Sequence, residues 1–430
     1  MSNLESALKI RALARNHQNL FSESIPLIAS ENIMSPLAME MLTTDLGFRY
    51  AEGLPHHRYY QGNGFVDQIE DLTTDLGKKL FNAKQCDPRP ISGTNANTSV
   101  IYGLLKPGEK ITVPDLAGGG HISAASFGAV GLRGLKVFNY PYDPETMTVL
   151  PDEASKLIIR EKPKVCLLGQ SVFLFPTPMK EMADAFQEAG SRVWYDGAHV
   201  LGLIAGGKFQ KPLSEGADIV TGSTHKTFPG PQRGIVLGNT GEDVWKGVQR
   251  GLFPGTLSNH HLNSMAALGV TIAEELEFGK DYAEAIIRNS KTLAGTLAEN
   301  GIKILGESRG YTDSHTLVAD VSSNGGGRRV AEDLEKAGII VNKNLLPGDS
   351  SKDSQNPSGI RIGTQEITRI GFQKDDVIEL GRLMADLIQG KNCIEKTKSM
   401  ALDMKSRFEE IKYCFGSMRP YSYFEIFNAR

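Results

Sequence analysis

Two short stretches, Tyr195-Asp196-Gly197-Ala198-His199 and Ser223-Thr224-His225-Lys226-Thr227, offer an acid and an amine near the ends of neighbouring strands. The apolar run Val193 to Tyr195 reads as a buried strand that delivers Asp196 at its C-terminal end, and Asp218-Ile219-Val220 as another that runs into Lys226. An α/β sheet collects its chemistry at that edge. An aspartate against a pyridine nitrogen keeps the ring protonated and electron-withdrawing, and a lysine amine can hold an aldehyde as a Schiff base. Together they are what pyridoxal phosphate chemistry needs, with Ala198 and His199 expected against one face of the ring. Ser92-Gly93-Thr94-Asn95-Ala96-Asn97 precedes a helix-like apolar run, so its amides and hydroxyls could meet a phosphate where the helix dipole favours an anion. An ordinary helix cap would look the same alone; the company of Asp196 and Lys226 favours the phosphate. His121 follows three glycines, which let backbone approach a ligand and an imidazole lie flat on a ring. Glu52 lies between Tyr50 and Gly53, a few residues before Tyr59 and Tyr60, and a carboxyl raised by burial can move protons at a substrate hydroxyl.

The elements that must position these residues follow from the apolar pattern. Residues 1–45 read as an arm, a polar helical segment and the loop Ile25 to Pro36. Residues 46–280 read as a large domain in which Lys110 to Val113, Lys164 to Leu168, Val193 to Tyr195, Asp218 to Val220 and Ile235 to Leu237 are strands between helices. That predicts an α/β fold with a mostly parallel sheet covered on both faces. Residues 281–430 read as a smaller α+β domain, with helices over Asn289 to Asn300, Arg329 to Ala337, Asp375 to Gln389 and Lys396 to Ile411. Its strands are placed over Thr316 to Val321 and Gly338 to Asn342. The length of 430 residues exceeds what one core usually serves, and the net charge of −3 gives no long-range attraction for nucleic acid. No apolar run reaches the roughly 20 residues of a membrane span, and the charged N-terminus lacks a signal-peptide core, so a cytoplasmic protein is expected. Four scattered cysteines argue for packed thiols rather than disulfides or a metal site. Gly202 to Lys208 has the glycine and lysine spacing of a phosphate loop, but Phe209 stands where magnesium would need a hydroxyl. His260-His261 reads as structural or interfacial, since sequence neighbours point different ways and no metal is implied.

The ordered set Leu27-Ile28-Ala29-Ser30-Glu31-Asn32, Tyr50-Ala51-Glu52-Gly53, Arg58-Tyr59-Tyr60-Gln61-Gly62, Gly119-Gly120-His121, Thr224-His225-Lys226-Thr227, Asn342-Lys343-Asn344 and Gly359-Ile360-Arg361-Ile362-Gly363-Thr364 resembles the serine hydroxymethyltransferase family of fold type I pyridoxal phosphate enzymes. The likeness covers nearly the whole chain, and Thr256 to His261 is similar to archaeal members. It implies Lys226 as the lysine that carries pyridoxal 5'-phosphate, Asp196 at the ring nitrogen, His121 stacked on the ring with His199, and Ser92, Gly93 and Thr94 on the phosphate. Further cofactor contacts are implied for Ser171, Thr224 and His225, and from a partner subunit for Tyr50 and Gly255. Glu52 is implied as the acid/base, with Tyr60 beside it; Arg361, helped by Ser30, as the clamp on the amino-acid carboxylate; and Asn344, Leu116 and Ile122 around a pterin. The resemblance therefore implies serine–glycine interconversion, with tetrahydrofolate or a related tetrahydropterin accepting one carbon, in a homodimer with shared sites. A threonine aldolase or transaldolase, or an α-methylserine hydroxymethyltransferase, would use the same core residues. A catalytically silent relative would not need Asp196, Lys226, His121, Glu52 and Arg361 together. Gly118, Ala124 and Arg233 depart from the family pattern; Arg233, in a glycine's place, reads as a loop charge or as a residue that alters how the cofactor loop opens.

Overall fold

The computed structural model describes residues 2–426. Helix α1 (Asn3–Ser22) opens the chain, capped by Ser2 and Glu5 in a reciprocal capping box, and buries none of its residues. A segment with a short helix over Pro36–Leu42 then leads past the hairpin Gly53–Leu54 and His57–Arg58 into α2 (Gly64–Phe81).

The centre is a seven-stranded sheet: β1 (Gln85–Asp87), β2 (Lys110–Pro114), β3 (Lys136–Tyr140), β4 (Val165–Leu168), β5 (Arg192–Asp196), β6 (Ile219–Ser223) and β7 (Gly234–Gly238). Its spatial order is β1-β7-β6-β5-β4-β2-β3. The five strands from β6 to β3 run parallel, and β7 is antiparallel to both its neighbours. Strands such as Val165-Cys166-Leu167-Leu168 are buried throughout, as a sheet covered on both faces demands. Helices α3 (Gly93–Leu104) and α4 (Glu242–Leu252) pack closely on one another, and a core containing Ala96, Val100, Ile111, Trp194 and Val248 lies between them and the sheet. The expected mostly parallel α/β architecture is what the chain adopts.

Helix α5 (Leu262–Glu299) runs 38 residues without a break across position 280, where the sequence pattern changes. It joins the core of the large sheet through Leu268, Ile272 and Ile286, and its last turns join a second core through Leu293, Ala294 and Leu297. That second core is built on an antiparallel sheet, ordered β8 (Lys303–Ile304), β9 (Thr316–Asp320), β11 (Gly359–Gly363), β10 (Asn342–Asn344). Helices α6 (Gly326–Lys336), α7 (Lys374–Ile388) and α8 (Ile394–Ser406) accompany it. Ile25–Pro26, from the arm, pairs in parallel with Ile339–Ile340, so the loop after α1 is stitched into this C-terminal unit.

Candidate active site

The C-terminal ends of β4, β5 and β6 and the N-terminus of α3 enclose a cavity of about 260 Å³. Register explains the convergence: Asp196 closes β5 opposite Thr221 of β6, and Lys226 follows three residues after β6 ends. Gly169, just past β4, has φ +108°, and a Cβ there would lie 2.0 Å from the Asp196 carbonyl oxygen, so only glycine lets these strand ends approach.

Asp196 is held by two donors, one of them backed by a further chain of hydrogen bonds. Asn97 Nδ2 donates to its Oδ2 at 2.7 Å and the Ala198 N–H to its Oδ1 at 3.0 Å. Asn97 is fixed in turn by Thr221 Oγ1, which donates to its Oδ1 at 2.7 Å and accepts from Trp194 Nε1 at 2.9 Å. Lys226 is buried; desolvation pushes its amine down to about 8, Arg361 acts in the same direction and Asp196 opposes both. Burial, with the fields of Lys226 and Arg361, likewise lowers His121 and, more strongly, His199, so both imidazoles are neutral. His121 Nδ1 accepts from the Ser123 N–H at 3.2 Å. His225, lowered to about 4 chiefly by burial, is neutral as well.

Three buried polar atoms around the cavity, Ser171 Oγ, His199 Nδ1 and His225 Nδ1, have no hydrogen-bond partner among the described residues. Such atoms in a native interior call for a ligand or water. Ser92 caps α3, its Oγ accepting from the Asn95 N–H at 3.0 Å, and Gly93 and Thr94 line the cavity beside it at the positive end of the helix dipole. A fixed carboxylate, an amine of lowered basicity, neutral imidazoles and a helix N-terminus fit pyridoxal phosphate.

Ser92, Gly93, Thr94, His121, Ser171, Asp196, His199, His225 and Lys226 all line this cavity. Thr224 does not; its Oγ1 donates to the Pro231 carbonyl at 2.7 Å. Arg361, on β11, reaches the cavity wall from the smaller sheet. Its Nη1 donates to the Ser171 carbonyl at 3.1 Å and its Nε to Asn342 Oδ1 at 3.1 Å. Ser30 sits on a loop pinned to the end of β11, where Gln365 Nε2 donates to the carbonyls of Ile28 and Glu31 at 2.7 and 2.6 Å. Asn344 lies on the edge strand β10, its Nδ2 turned to the Leu345 carbonyl at 2.6 Å.

A second cluster stands apart from the cavity on the surface. Tyr50 and Tyr60 pack edge to face at 5.3 Å, Tyr50 Oη lies 3.2 Å from Ser258 Oγ, and Ser258 Oγ donates to Glu52. The Glu52 carboxylate raises the Tyr60 phenol. None of Glu52, Tyr50, Tyr60 or Gly255 lines the cavity of the same chain.

A family model for serine hydroxymethyltransferase matches residues 5–384. The chain belongs to the serine hydroxymethyltransferase family. Relatives bearing that family name include one from Picrophilus torridus, 66% identical over 99% of this chain and 98% of its own length, and one from Thermoplasma acidophilum, 63% identical over 98% and 99%. A solved structure of L-threonine transaldolase from Pseudomonas fluorescens, in its internal aldimine state, is similar with TM-score 0.87 and 29% identity over 96% of both chains.

Within this serine hydroxymethyltransferase family member two of the departures, Gly118 and Arg233, have physical reasons, and nothing in the structure explains Ala124. A Cβ at Gly118 would lie 2.7 Å from the Tyr142 ring, which already fills that space. Arg233 is not a loop charge: it is fully buried and donates to five acceptors. His260 is buried with Nε2 3.0 Å from Glu70. Sequence reasoning gave no role to Gln170, Ser223 or Gln232, which line the cavity, nor a role to Asn97. Position directly after an apolar strand was the available signal for Gln170; Asn97 lay within the helix-start stretch already singled out.

Proposed function

We propose that this chain catalyses pyridoxal phosphate-dependent hydroxymethyl transfer, interconverting serine and glycine with a tetrahydropterin as one-carbon carrier. The observation that carries it is the meeting of buried Lys226 with oriented Asp196, His121 and the α3 N-terminus in one cavity, in a chain more than 60% identical to relatives named for that reaction. When bound, the cofactor supplies an electron sink for the pair left at Cα when the bond to Cβ breaks. Lys226 supplies the amine that holds the cofactor aldehyde and yields to the substrate amine. Asp196, unable to turn, keeps a proton at the ring nitrogen. Arg361 and Ser30 take the substrate carboxylate, which fixes the bond at Cα that is free to break. Glu52, with Tyr60, moves the proton of the substrate hydroxyl.

Because Glu52, Tyr50, Tyr60 and Gly255 lie away from the cavity of their own chain, we assign them to the cavity of a second copy, in a cytoplasmic homodimer. Tyr50 and Gly255 would then meet the phosphate there, while Thr224 and His225 flank Lys226 and Asn344 contacts the pterin. The chain would divide into an arm (1–45), a large cofactor domain (46–280) and a small domain (281–430). Among the described residues no helix is long and apolar enough to cross a membrane.

The test is glycine formation from L-serine with and without tetrahydrofolate or a related tetrahydropterin, beside L-threonine with an aromatic aldehyde. Pterin-dependent glycine supports the proposal. The likeness to a threonine transaldolase favours a second reading, and pterin-independent formation of a new β-hydroxy amino acid from threonine would move the assignment there.

A further inference from the structure

Arg233, one of the residues that depart from the family pattern, holds together two segments that the proposed reaction needs in register. Its Nη2 donates to the carbonyls of Pro88 and Arg89, at 3.0 and 2.9 Å, on the segment that leads into Ser92 and α3. Its Nη1 donates to the carbonyls of His260 and His261 and to Ser264 Oγ, the last at 2.8 Å, on the segment that follows Ser258. Its own backbone joins in, since the Thr224 N–H donates to the Arg233 carbonyl at 3.0 Å, two residues before Lys226.

The network continues to the flanks of Glu52. His260 Nε2 lies 3.0 Å from Glu70, Glu70 accepts from Arg58 Nη2 at 2.6 Å, and Arg58 Nη1 donates to the carbonyls of Ala51 and Gly53 at 3.0 and 2.7 Å. Arg58, Glu70, His260 and Arg233 expose 4% or less of their side chains, so water cannot replace these contacts, of which the His260–Glu70 one is a close approach of charge and dipole without hydrogen-bond geometry. A guanidinium spreads five N–H donors over a rigid planar fork and so serves acceptors on two sides at once; an ammonium has its three donors on one nitrogen and cannot reach both segments from the same stem.

We propose that Arg233 is a positioning residue that sets the distance between the cofactor cradle at Ser92–Thr94 and the Glu52 cluster on the same chain. The idea rests on the pyridoxal phosphate reading of the cavity and adds to it a residue that touches neither cofactor nor substrate. Each subunit would then align its own cradle with the acid it offers to its partner.

The test compares Arg233→Lys and Arg233→Met with the parent chain. Its readouts are the Kd for pyridoxal 5'-phosphate by absorbance, amide exchange of the apoprotein at residues 88–95 and 256–264, and kcat and KM for serine at saturating cofactor. Stranding buried acceptors predicts a Kd raised by about tenfold or more, a kcat lowered by a similar factor with KM little changed, and faster exchange at both segments. Values of Kd and kcat within about threefold of the parent would overturn the proposal, whatever happens to the melting temperature. Should the Arg233 variants fail to fold, Ser264→Ala removes a single acceptor: faster exchange at both segments supports the idea, and a change confined to 256–264 overturns it. Failure of the parent chain itself to bind pyridoxal phosphate would defeat the underlying reading instead.

Discussion

The amine of Lys226 has to be uncharged before it can attack an aldehyde, and its surroundings arrange this without a neighbouring base. Burial lowers it from 10.5 to about 8, with Arg361 helping and Asp196 resisting. A depressed lysine disfavours the cation in the folded state, so its penalty on stability is full below pH 8 and is relieved as pH rises from 8 towards 10.5. The rate at which apoprotein captures pyridoxal phosphate should accordingly rise with a midpoint near pH 8; a midpoint near 10 would contradict the burial seen here. Lys226→Ala should abolish both turnover and the bound-cofactor absorbance, and retained catalysis would remove Lys226 from its role. Arg361 makes a different prediction. Its guanidinium already spends Nε and Nη1 on Asn342 and Ser171, so what it offers a substrate is placed by two protein bonds. Arg361→Lys keeps the charge but loses that placement, and KM for serine should rise by roughly ten- to a hundredfold, the worth of one charge-assisted hydrogen bond. An unchanged KM would mean that the carboxylate binds elsewhere.

At the scale of elements, the site depends on how closely strand ends can approach, and Gly169 tests that. A methyl there would lie 2.0 Å from the backbone oxygen of Asp196, at a φ of +108° that side chains avoid. No side-chain rotation relieves a clash with backbone, so Gly169→Ala should cost about 3 kcal/mol in thermal or denaturant unfolding and weaken cofactor binding by shifting Asp196. The strands that carry the chemistry were legible because each is a short apolar run ending in a polar residue: Val193 to Tyr195 became Arg192–Asp196, and Asp218 to Val220 became Ile219–Ser223. The edge strands Gln85–Asp87 and Lys136–Tyr140 were not, since Gln85, Asp87, Lys136 and Asn139 interrupt the apolar pattern. The unbroken 38-residue α5 was also hidden, because its apolar face passes from one core to another part-way along and the sequence reads as a boundary there. Arg233 could not be read from sequence at all: only the fold brings Pro88, His260 and Ser264 around it.

At the scale of the whole molecule, two features of one chain look incomplete in the same way. Helix α1 buries none of its 20 residues and leaves Leu4, Ile10 and Leu13 more than half exposed, although a helix in water holds its shape mainly by packing an apolar face. The cluster of Glu52, Tyr50 and Tyr60, to which we assign proton transfer, contributes nothing to the lining of the cavity that contains Lys226. A second copy related by a two-fold axis would remedy both, since each surface is then offered and received once per subunit. Complementation follows from this arrangement. Lys226→Ala leaves a subunit with a dead cavity and an intact Glu52 cluster, and Glu52→Gln leaves the reverse. Each variant alone should be nearly inactive. Mixed after gentle dissociation, half of the dimers should be hybrids, and in each hybrid one cavity has both a good lysine and a good glutamate. Activity should therefore recover to about a quarter of the parent value, the share set by random pairing and one working site in two. If Glu52 served the cavity of its own chain, every hybrid site would carry one defect and mixing would restore nothing.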